Sequence, residues 1–319
     1  MTQPTAQEVS SGSVYEIPIA LQDRSFNSDG SLYYPDSRAN FDDYRGSYSP
    51  KSDIAPIWNP ETFGDTIIAN GNTWPTQNVQ PKRYRLRFLN GAQARTFILK
   101  FSNNLSFTQI GAEQGFLKAQ TVISQLLIPP SERADVIVDF AGIAPGTNII
   151  LNNIGPDEPY NGKVQEPSNP LTTGKVMQFK VIASDGKLDT STPPAQLLLP
   201  TIQEAATVNV TRKVSLNELT SMNPNSMGIG PQSAMLGTVV TSEKGVPSGV
   251  PHPFMAPITE NIKLNNTEVW EIYNFTVDAH PIHLHLVSFK VINRQVFNPI
   301  TGVLWKISPP NSWETGPKD

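Results

Sequence analysis

An all-β protein of two sandwich domains is the fold that this sequence of 319 residues predicts. Three observations carry that expectation. The 29 prolines and 21 glycines divide the chain into short segments rich in β-branched and aromatic residues, the composition of sandwiches and barrels. Alternation of apolar and polar residues recurs, whereas no stretch sustains the period of a long amphipathic helix. The length is comfortable for two domains, each able to bury its own core.

Residues 1–14 are polar and read as an N-terminal linker. They lack the basic segment and apolar stretch of a secretory signal, so a signal for export would lie outside this chain. The first domain is placed at 15–183. Its strands fall at 15–21, 66–69, 83–89, 97–101, 126–128, 135–140, 148–151 and 176–182, each a short apolar or alternating run bounded by turn residues. The clearest is 83–89, where Tyr84, Leu86 and Phe88 share one face and Arg83, Arg85 and Arg87 the other, as in a half-buried strand. Ser28-Asp29-Gly30, between Arg24-Ser25-Phe26 and Ser31-Leu32-Tyr33, marks a hairpin.

Residues 184–206 pass through Asp185-Gly186, Thr190-Ser191-Thr192-Pro193-Pro194 and Leu199-Pro200, which resist helix and sheet alike and read as an inter-domain linker. The second domain, 207–319, opens with a strand at 208–216. A loop rich in Ser, Asn, Gly and Pro follows from about 220 to 253, then strands at 268–275 and 282–292. No closing strand pair is evident before Asp319, which leaves the second sandwich incomplete at its C-terminus, with an unpaired edge.

Composition narrows the function. Charged residues make up 16% and the formal net charge is -4, with no basic stripe, so neither nucleic acid nor an anionic membrane surface is indicated as a partner. No run of about 18 apolar residues is present to cross a bilayer. The sequence has no cysteine, which removes disulfides, thiolate nucleophiles and every metal site that needs Cys sulfur. These features do not assign a compartment.

A weak internal repeat relates the two domains. Setting Asn90 opposite Asn274 aligns Leu86 with Trp270, Phe88 with Ile272 and Phe101 with His285, as if one strand occurred in two copies of one fold.

Of the four histidines, three lie in His280-Pro281-Ile282-His283-Leu284-His285. On a strand His283 and His285 share a face, and His280 points to the other unless Pro281 bends the chain, so one segment can serve two metal centres. Left without a metal, these imidazoles would need several separate hydrogen-bond partners, and metal ligation is the preferred reading. Imidazole suits copper, zinc, iron and nickel, so spacing leaves the ion open. A zinc enzyme would require His280 to face the same cavity as the pair. A cupin-like iron or manganese site would add a nearby carboxylate, which Leu286-Val287-Ser288-Phe289-Lys290 does not offer.

Other residues invite plainer readings. His252, in Pro251-His252-Pro253, reads as an exposed loop residue, and Met222, Met227, Met235 and Met255 as loop and packing residues. Asp278 is near enough in sequence to orient an imidazole, but for it, Glu268 and Glu271 an exposed carboxylate is the simpler reading. Asn104, Asn209, Asn265 and Asn274 satisfy the Asn-x-Ser/Thr glycosylation pattern.

The run from His280 to Phe289, continuing through Arg294, resembles the copper-binding strand in the last cupredoxin domain of multicopper oxidases. Met255-Ala256-Pro257-Ile258-Thr259-Glu260-Asn261 and Glu268-Val269-Trp270-Glu271-Ile272-Tyr273-Asn274 precede it as in bacterial laccases related to spore-coat laccase and bilirubin oxidase. The first half is similar to the middle domain of those enzymes. Its landmarks are Trp58-Asn59-Pro60-Glu61, Asn70-Gly71 with Trp74-Pro75, Tyr84-Arg85-Leu86-Arg87-Phe88-Leu89-Asn90, Gln109-Ile110-Gly111-Ala112-Glu113 and residues 129–140.

This resemblance, which covers 15–319, implies two cupredoxin-like Greek-key β-sandwich domains. It implies that His280 binds the type 1 copper, His283 the type 2 copper and His285 one of the type 3 pair. The implied reaction oxidises phenolic or other aromatic donors and reduces dioxygen to water. Opposite these ligands in the repeat stand Thr96, Leu99 and Phe101, none a good copper ligand, so the first domain is expected to act as spacer and wall.

The family's pattern also includes a domain with two His-x-His pairs and a closing His-Cys-His segment, and neither occurs here. The chain therefore reads as a fragment whose copper sites need the missing segments as partners, and which is inactive alone. Two alternatives remain at this point: a non-enzymatic cupredoxin scaffold or metal-binding module, and a His-ligated zinc enzyme.

Overall fold

The structure, a computed structural model, describes residues 12, 14–34, 61–202, 207–222 and 231–319. Among the described residues, thirteen strands lie in the first half: β1 (Glu16–Phe26), β2 (Leu32–Tyr33), β3 (Thr66–Ala69), β4 (Asn72–Thr73), β5 (Thr76–Val79), β6 (Arg83–Asn90), β7 (Phe97–Phe101), β8 (Phe107–Ala112), β9 (Gly115–Ile123), β10 (Leu126–Ile128), β11 (Arg133–Asp139), β12 (Asn148–Asn153) and β13 (Lys175–Val181). They form an 8-stranded sheet in the order β4-β3-β1-β6-β11-β8-β9, with β2 on β1, and a 5-stranded sheet in the order β10-β7-β12-β13-β5.

The alternation read at 83–89 is the reason these sheets pack. Tyr84, Leu86 and Phe88 are 1%, 0% and 1% exposed and face Phe97, Leu99 and Phe101 of β7, themselves 1% exposed or less. Each fully buried side chain of this size contributes about 1.5–3 kcal/mol. Phe101 stacks on Phe107 at 4.8 Å between ring centroids. On the opposite face, Arg85 grips Asp135 of β11 with both ends of its guanidinium, at 2.9 and 2.5 Å, and Arg87 reaches Glu16 of β1 at 3.1 Å. The expected hairpin is present: Ser25 pairs with Tyr33 and Phe26 with Leu32, and Gly30 takes the left-handed φ of 84° that the turn requires.

Residues 184–202 contain no strand and lie along the first half. Asp185 meets the buried Lys82 at 2.6 Å, and Asp189 accepts from the Arg83 backbone amide at 3.0 Å. Residues 203–206 fall outside the described residues, as do most of 1–14.

In the second half β14 (Val210–Thr220), β15 (Pro231–Thr241), β16 (Pro247–Pro251) and β17 (Glu268–Asn274) form a 4-stranded sheet in the order β16-β15-β14-β17. A separate 2-stranded ribbon joins β18 (Arg294–Phe297) to β19 (Leu304–Ser308). No helix of the described residues is long and apolar enough to cross a membrane.

Three expectations need correction. The loop placed at about 220–253 contains two strands, because Ser242-Glu243-Lys244-Gly245 closes a tight hairpin: Gly245 N donates to Ser242 O at 2.9 Å and Ser242 N to Val246 O at 3.0 Å. The strand placed at 282–292 is absent. A strand exists only with a partner to complete its ladder, and the described residues offer only the isolated bridge of Phe289 with Lys318, while Leu286 turns the chain with a φ of 67°. The β18–β19 ribbon was not foreseen. Asn298 organises its turn by accepting from the amides of Ile300 and Thr301 at 2.8 and 3.0 Å.

The internal repeat is present in the pairing. β1 runs parallel to β6 with Leu21 opposite Asn90, and β14 runs parallel to β17 with Leu216 opposite Asn274. The next amide bonds back in each copy, Gly91 to Leu21 O at 2.7 Å and Phe275 to Leu216 O at 3.0 Å. β3 and β15 flank the two copies equivalently.

Candidate metal centre

β17 delivers the chain to the histidines through a turn built on Asn274. Its amide donates to Asp278 O at 2.6 Å, and its carbonyl oxygen accepts from Thr276 N at 3.0 Å and Thr276 Oγ1 at 2.8 Å. Asn90 plays the same part in the first copy, accepting from Ala92 N at 2.9 Å. In the second copy the turn fixes a ligand candidate as well: Thr276 Oγ1 lies 2.6 Å from His280 Nε2. Ala279 N donates to Tyr160 O of the first half at 2.8 Å.

His283 and His285 lie edge to face, with ring centroids 4.9 Å apart and an interplanar angle of 76°. They line an open recess together with Gln114, Leu284, Leu286 and Asp319. Asp319 Oδ1 is 3.9 Å from His283 Nδ1 and accepts from Arg133 at 2.5 Å. The structure thus brings His283 and His285 together and leaves His280 apart, the grouping that a two-residue spacing anticipates even though the segment is not a strand. Among the described residues no three His, Cys, Asp or Glu side chains are gathered as a metal cage.

Glu218 and Asp278 lie within electrostatic reach of His280, and Glu61 within reach of both carboxylates. Burial, and then the charges of Asp278 and Glu218, push the Glu61 carboxyl up to about 7. Glu218 and Asp278 are also raised, mainly by burial, with the His280 imidazole acting in the opposite sense. Asp278 was considered from sequence as an orienting group, but the atom that touches the His280 ring is Thr276 Oγ1. Glu61 entered the sequence reading only within the Trp58-Asn59-Pro60-Glu61 landmark and Glu218 not at all, because they come from distant parts of the chain; only the fold assembles them.

The other residues noted from sequence have local roles. His252 Nε2 sits 3.0 Å from Thr238 Oγ1, across the β15–β16 pair. Glu268 binds Arg212 at 2.7 Å and Trp270 Nε1 at 3.0 Å. Met222 and Met255 are exposed. Met227 and Trp58-Asn59-Pro60 fall outside the described residues.

The donor set fits copper in part. Two imidazoles on one recess and a third set apart are suitable nitrogen donors, whereas the sulfur donor of a blue copper site has no source in a sequence without cysteine.

Comparison with known proteins agrees with this chemistry. Two family models, both described as multicopper oxidase, match residues 33–180 and 229–315. The chain is 34% identical over 287 residues to Multicopper oxidase LPR1 of Arabidopsis thaliana, covering 90% of this chain and 43% of that protein. It is 32% identical over 285 residues to a laccase of Bacillus subtilis, covering 89% of this chain and 48% of that one. It therefore spans less than half the length of these relatives. Among solved structures, a laccase-like multicopper oxidase of an Ochrobactrum species superposes with a TM-score of 0.63 at 23% identity, over 99% of this chain and 60% of that one. A multicopper oxidase of Campylobacter jejuni, described as a metallo-oxidase, gives 0.61 at 16% identity, over 96% and 58%. These likenesses show the shared cupredoxin fold.

Proposed function

The chain belongs to the multicopper oxidase family, whose cofactor is copper, and from that premise we propose that it is part of a laccase-like oxidase in which His280, His283 and His285 ligate copper. The observation that supports this reading most is the pairing of His283 with His285 on one recess while Thr276 holds His280 elsewhere. Two imidazoles at one cavity suit adjoining ions, and one turned away suits a separate ion. That is the division implied by the resemblance, with His280 at the type 1 centre, His283 at type 2 and His285 at type 3.

Copper, when bound, supplies one-electron redox chemistry, taking electrons singly from a donor and passing them to dioxygen, which with protons becomes water. The chain's own residues position and tune. Thr276 Oγ1 engages one nitrogen of His280 and so influences which nitrogen is free. Asp319 Oδ1 lies 3.9 Å from Nδ1 of His283, within reach of its charge though beyond a direct hydrogen bond. Tyr160, through the Ala279 amide, ties the His280 turn to the first half.

The donor class follows from the relatives named laccase, and we assign phenolic or similar aromatic reductants. The thiolate of the type 1 centre comes from outside these 319 residues, so the chain alone is expected not to turn over. Dioxygen uptake by the purified, copper-loaded chain with a phenol tests this. Background-level uptake is the expected result, and sustained turnover without another polypeptide would sink the reading.

A further inference from the structure

The first half is expected from its sequence to be a spacer, since the repeat places Thr96, Leu99 and Phe101 where the second half has histidines. Its β8–β9 corner does more. Gln114, at the tip of that hairpin, donates from Nε2 to the Val287 carbonyl at 3.1 Å, and its backbone amide reaches Pro317 O at 3.3 Å. Beside it, Glu113 accepts from the backbone amide and the guanidinium of Arg133 at 2.6 and 2.9 Å, and Arg133 in turn holds Asp319 at 2.5 Å. Asp319 is the carboxylate facing His283, and Gln114 lines the same recess as both imidazoles.

The backbone that carries His283 and His285 has no strand ladder to hold it. It is pinned at one end by Ala279 to Tyr160, and at the other by the reciprocal pair of Phe289 and Lys318, both at 2.9 Å. Between those anchors the Gln114 side chain meets the turn one residue beyond Leu286, whose φ of 67° sets the direction of the preceding His285. The corner itself is firm, because β8 is laddered to both β11 and β9 inside the 8-stranded sheet.

We propose that Gln114 and Arg133, residues of the copper-free half, are positioning residues for the His283–His285 pair, Gln114 through the Val287 carbonyl and Arg133 through Asp319. The proposal rests on the reading of His283 and His285 as copper ligands. Neither residue touches the metal; each restricts the orientations from which an imidazole can bind it. Groups that orient a metal-bound histidine typically change affinity by 10–100-fold. The Gln114 bond is exposed and sits one step further from the ring, so a smaller effect of about fivefold is expected for it.

The test is a Cu(II) titration of the full 319-residue chain against a competing chelator, with electron paramagnetic resonance recording the nitrogen coupling of the bound ion. His283→Ala and His285→Ala should each abolish the nitrogen-coupled signal of the copper that histidine holds, and His280→Ala should leave those signals. Gln114→Met keeps the length and removes the donor without adding charge, and should weaken binding about fivefold and broaden the signal. Gln114→Asn, which keeps a shorter neutral donor, should fall between Gln114→Met and wild type. Asp319→Asn should shift the His283 ring resonances in a nitrogen-15 spectrum of the metal-free chain. Melting temperature is recorded for every variant.

If the histidine variants lose copper while Gln114→Met and Asp319→Asn behave as wild type, the positioning roles fail and the ligand reading stands. If His283→Ala and His285→Ala bind copper as wild type does, the ligand reading fails and takes the proposal with it. Weakening that tracks a fall in melting temperature, with Gln114→Asn no better than Gln114→Met, also overturns the proposal.

Discussion

Arg95 is among the largest fully buried side chains of the protein, at 1% exposure, and an isolated guanidinium there would be intolerable. It is satisfied from every side. Asp23, itself 2% exposed, accepts from Nε at 2.9 Å; Gly64 O accepts at 2.7 Å; Asp157 accepts as well; and the Phe63 ring lies 5.5 Å from the guanidinium carbon. Burial would raise the Asp157 carboxyl, but hydrogen bonds from Thr173, Asn169 and Arg95 outweigh it and hold Asp157 below the ordinary carboxylate range. Removing one partner of such a pair costs more than the pair is worth, because the other charge stays buried. Arg95→Met is therefore expected to lose about 3–5 kcal/mol in urea unfolding, with part of the loss restored in Arg95→Met, Asp23→Asn. An effect under about 1 kcal/mol would show that water replaces the partner. Glu61 presents the opposite case. Its carboxyl is raised to about 7 in the folded chain from an ordinary 4.5, so folding favours the protonated form. Its contribution is complete below pH 4.5 and is lost as pH rises through about 7. Glu61→Gln should thus stabilise the chain above pH 7 by roughly 1 kcal/mol after allowance for solvent screening, and should flatten the slope of stability between pH 4.5 and 7. Thermal melts across that range decide it; an unchanged slope would place the titration elsewhere.

At the scale of elements, the two copies of the repeat show what makes a strand. Residues 97–101 and the histidine segment follow equivalent parallel pairs, and both descend from a turn built on an Asn side chain. β7 is a strand because β10 and β12 complete its ladder and because Phe97, Leu99 and Phe101 point into a core. The histidine segment has neither. The local pattern was therefore legible in the sequence: short apolar or alternating runs located β3, β6, β7 and β10, and a two-residue spacing joined His283 to His285. Ladder partners were not legible, since they depend on chain far away, and the strand read at 282–292 failed for that reason. β15 and β16 were missed for another. Gly237 and Gly249 look like loop residues, but both pack against Asn217, where a side chain would have no room. Asn217, buried at 7%, donates to Ser215 Oγ at 3.0 Å and Met235 O at 3.3 Å. In Gly249→Ala the new methyl would meet Asn217 Oδ1 and the Phe275 ring. Overpacking of this kind typically costs about 1–3 kcal/mol. We expect faster amide exchange through β15 and β16 with β6 and β11 unaffected, and wild-type exchange would mean that the hairpin accommodates the methyl by sliding. Glu61 and Glu218 lay beyond sequence reading too, because no motif joins carboxylates so far apart; what brings Glu218 towards Asp278 is the parallel pairing of β14 with β17.

Over the whole molecule, apolar burial is unequally shared. The buried hydrophobic cluster draws all its members from Ile17 to Val181, including Leu86, Phe97, Val136, Leu151 and Phe179 at 0% exposure. In the second half large apolar side chains face solvent, among them Leu264 at 85%, Leu286 at 105%, Leu304 at 55% and Trp305 at 51%. Since a fully buried aliphatic or aromatic side chain contributes about 1.5–3 kcal/mol, a few such differences exceed the total stability of a typical domain. The contacts that tie the end of the chain to the first half do not redress this. Arg133 with Asp319 and Lys318 with Glu132, at 2.5 and 3.6 Å, are partly exposed pairs, worth roughly 0–1 kcal/mol each. Opening of the second sheet should consequently occur well below the free energy of global unfolding. In hydrogen exchange of the isolated chain, amides of β6, β7, β11 and β12 should be the slowest. Those of β14 and β17 should exchange at least about a hundredfold faster, corresponding to a gap of about 3 kcal/mol or more, and those of β18 and β19 faster still. Uniform protection across both halves would refute the unequal division. The same reasoning links stability to function: the histidines sit in the less protected half, on backbone held by the β8–β9 corner of the more protected one. On the proposed copper reading, a polypeptide that supplied the sulfur donor and also covered the exposed apolar side chains would couple completion of the copper sites to folding of the second half. Slowing of β17 exchange on addition of a segment that restores oxidase activity, with β6 unchanged, is the expected signature; restored activity without that slowing would separate the two.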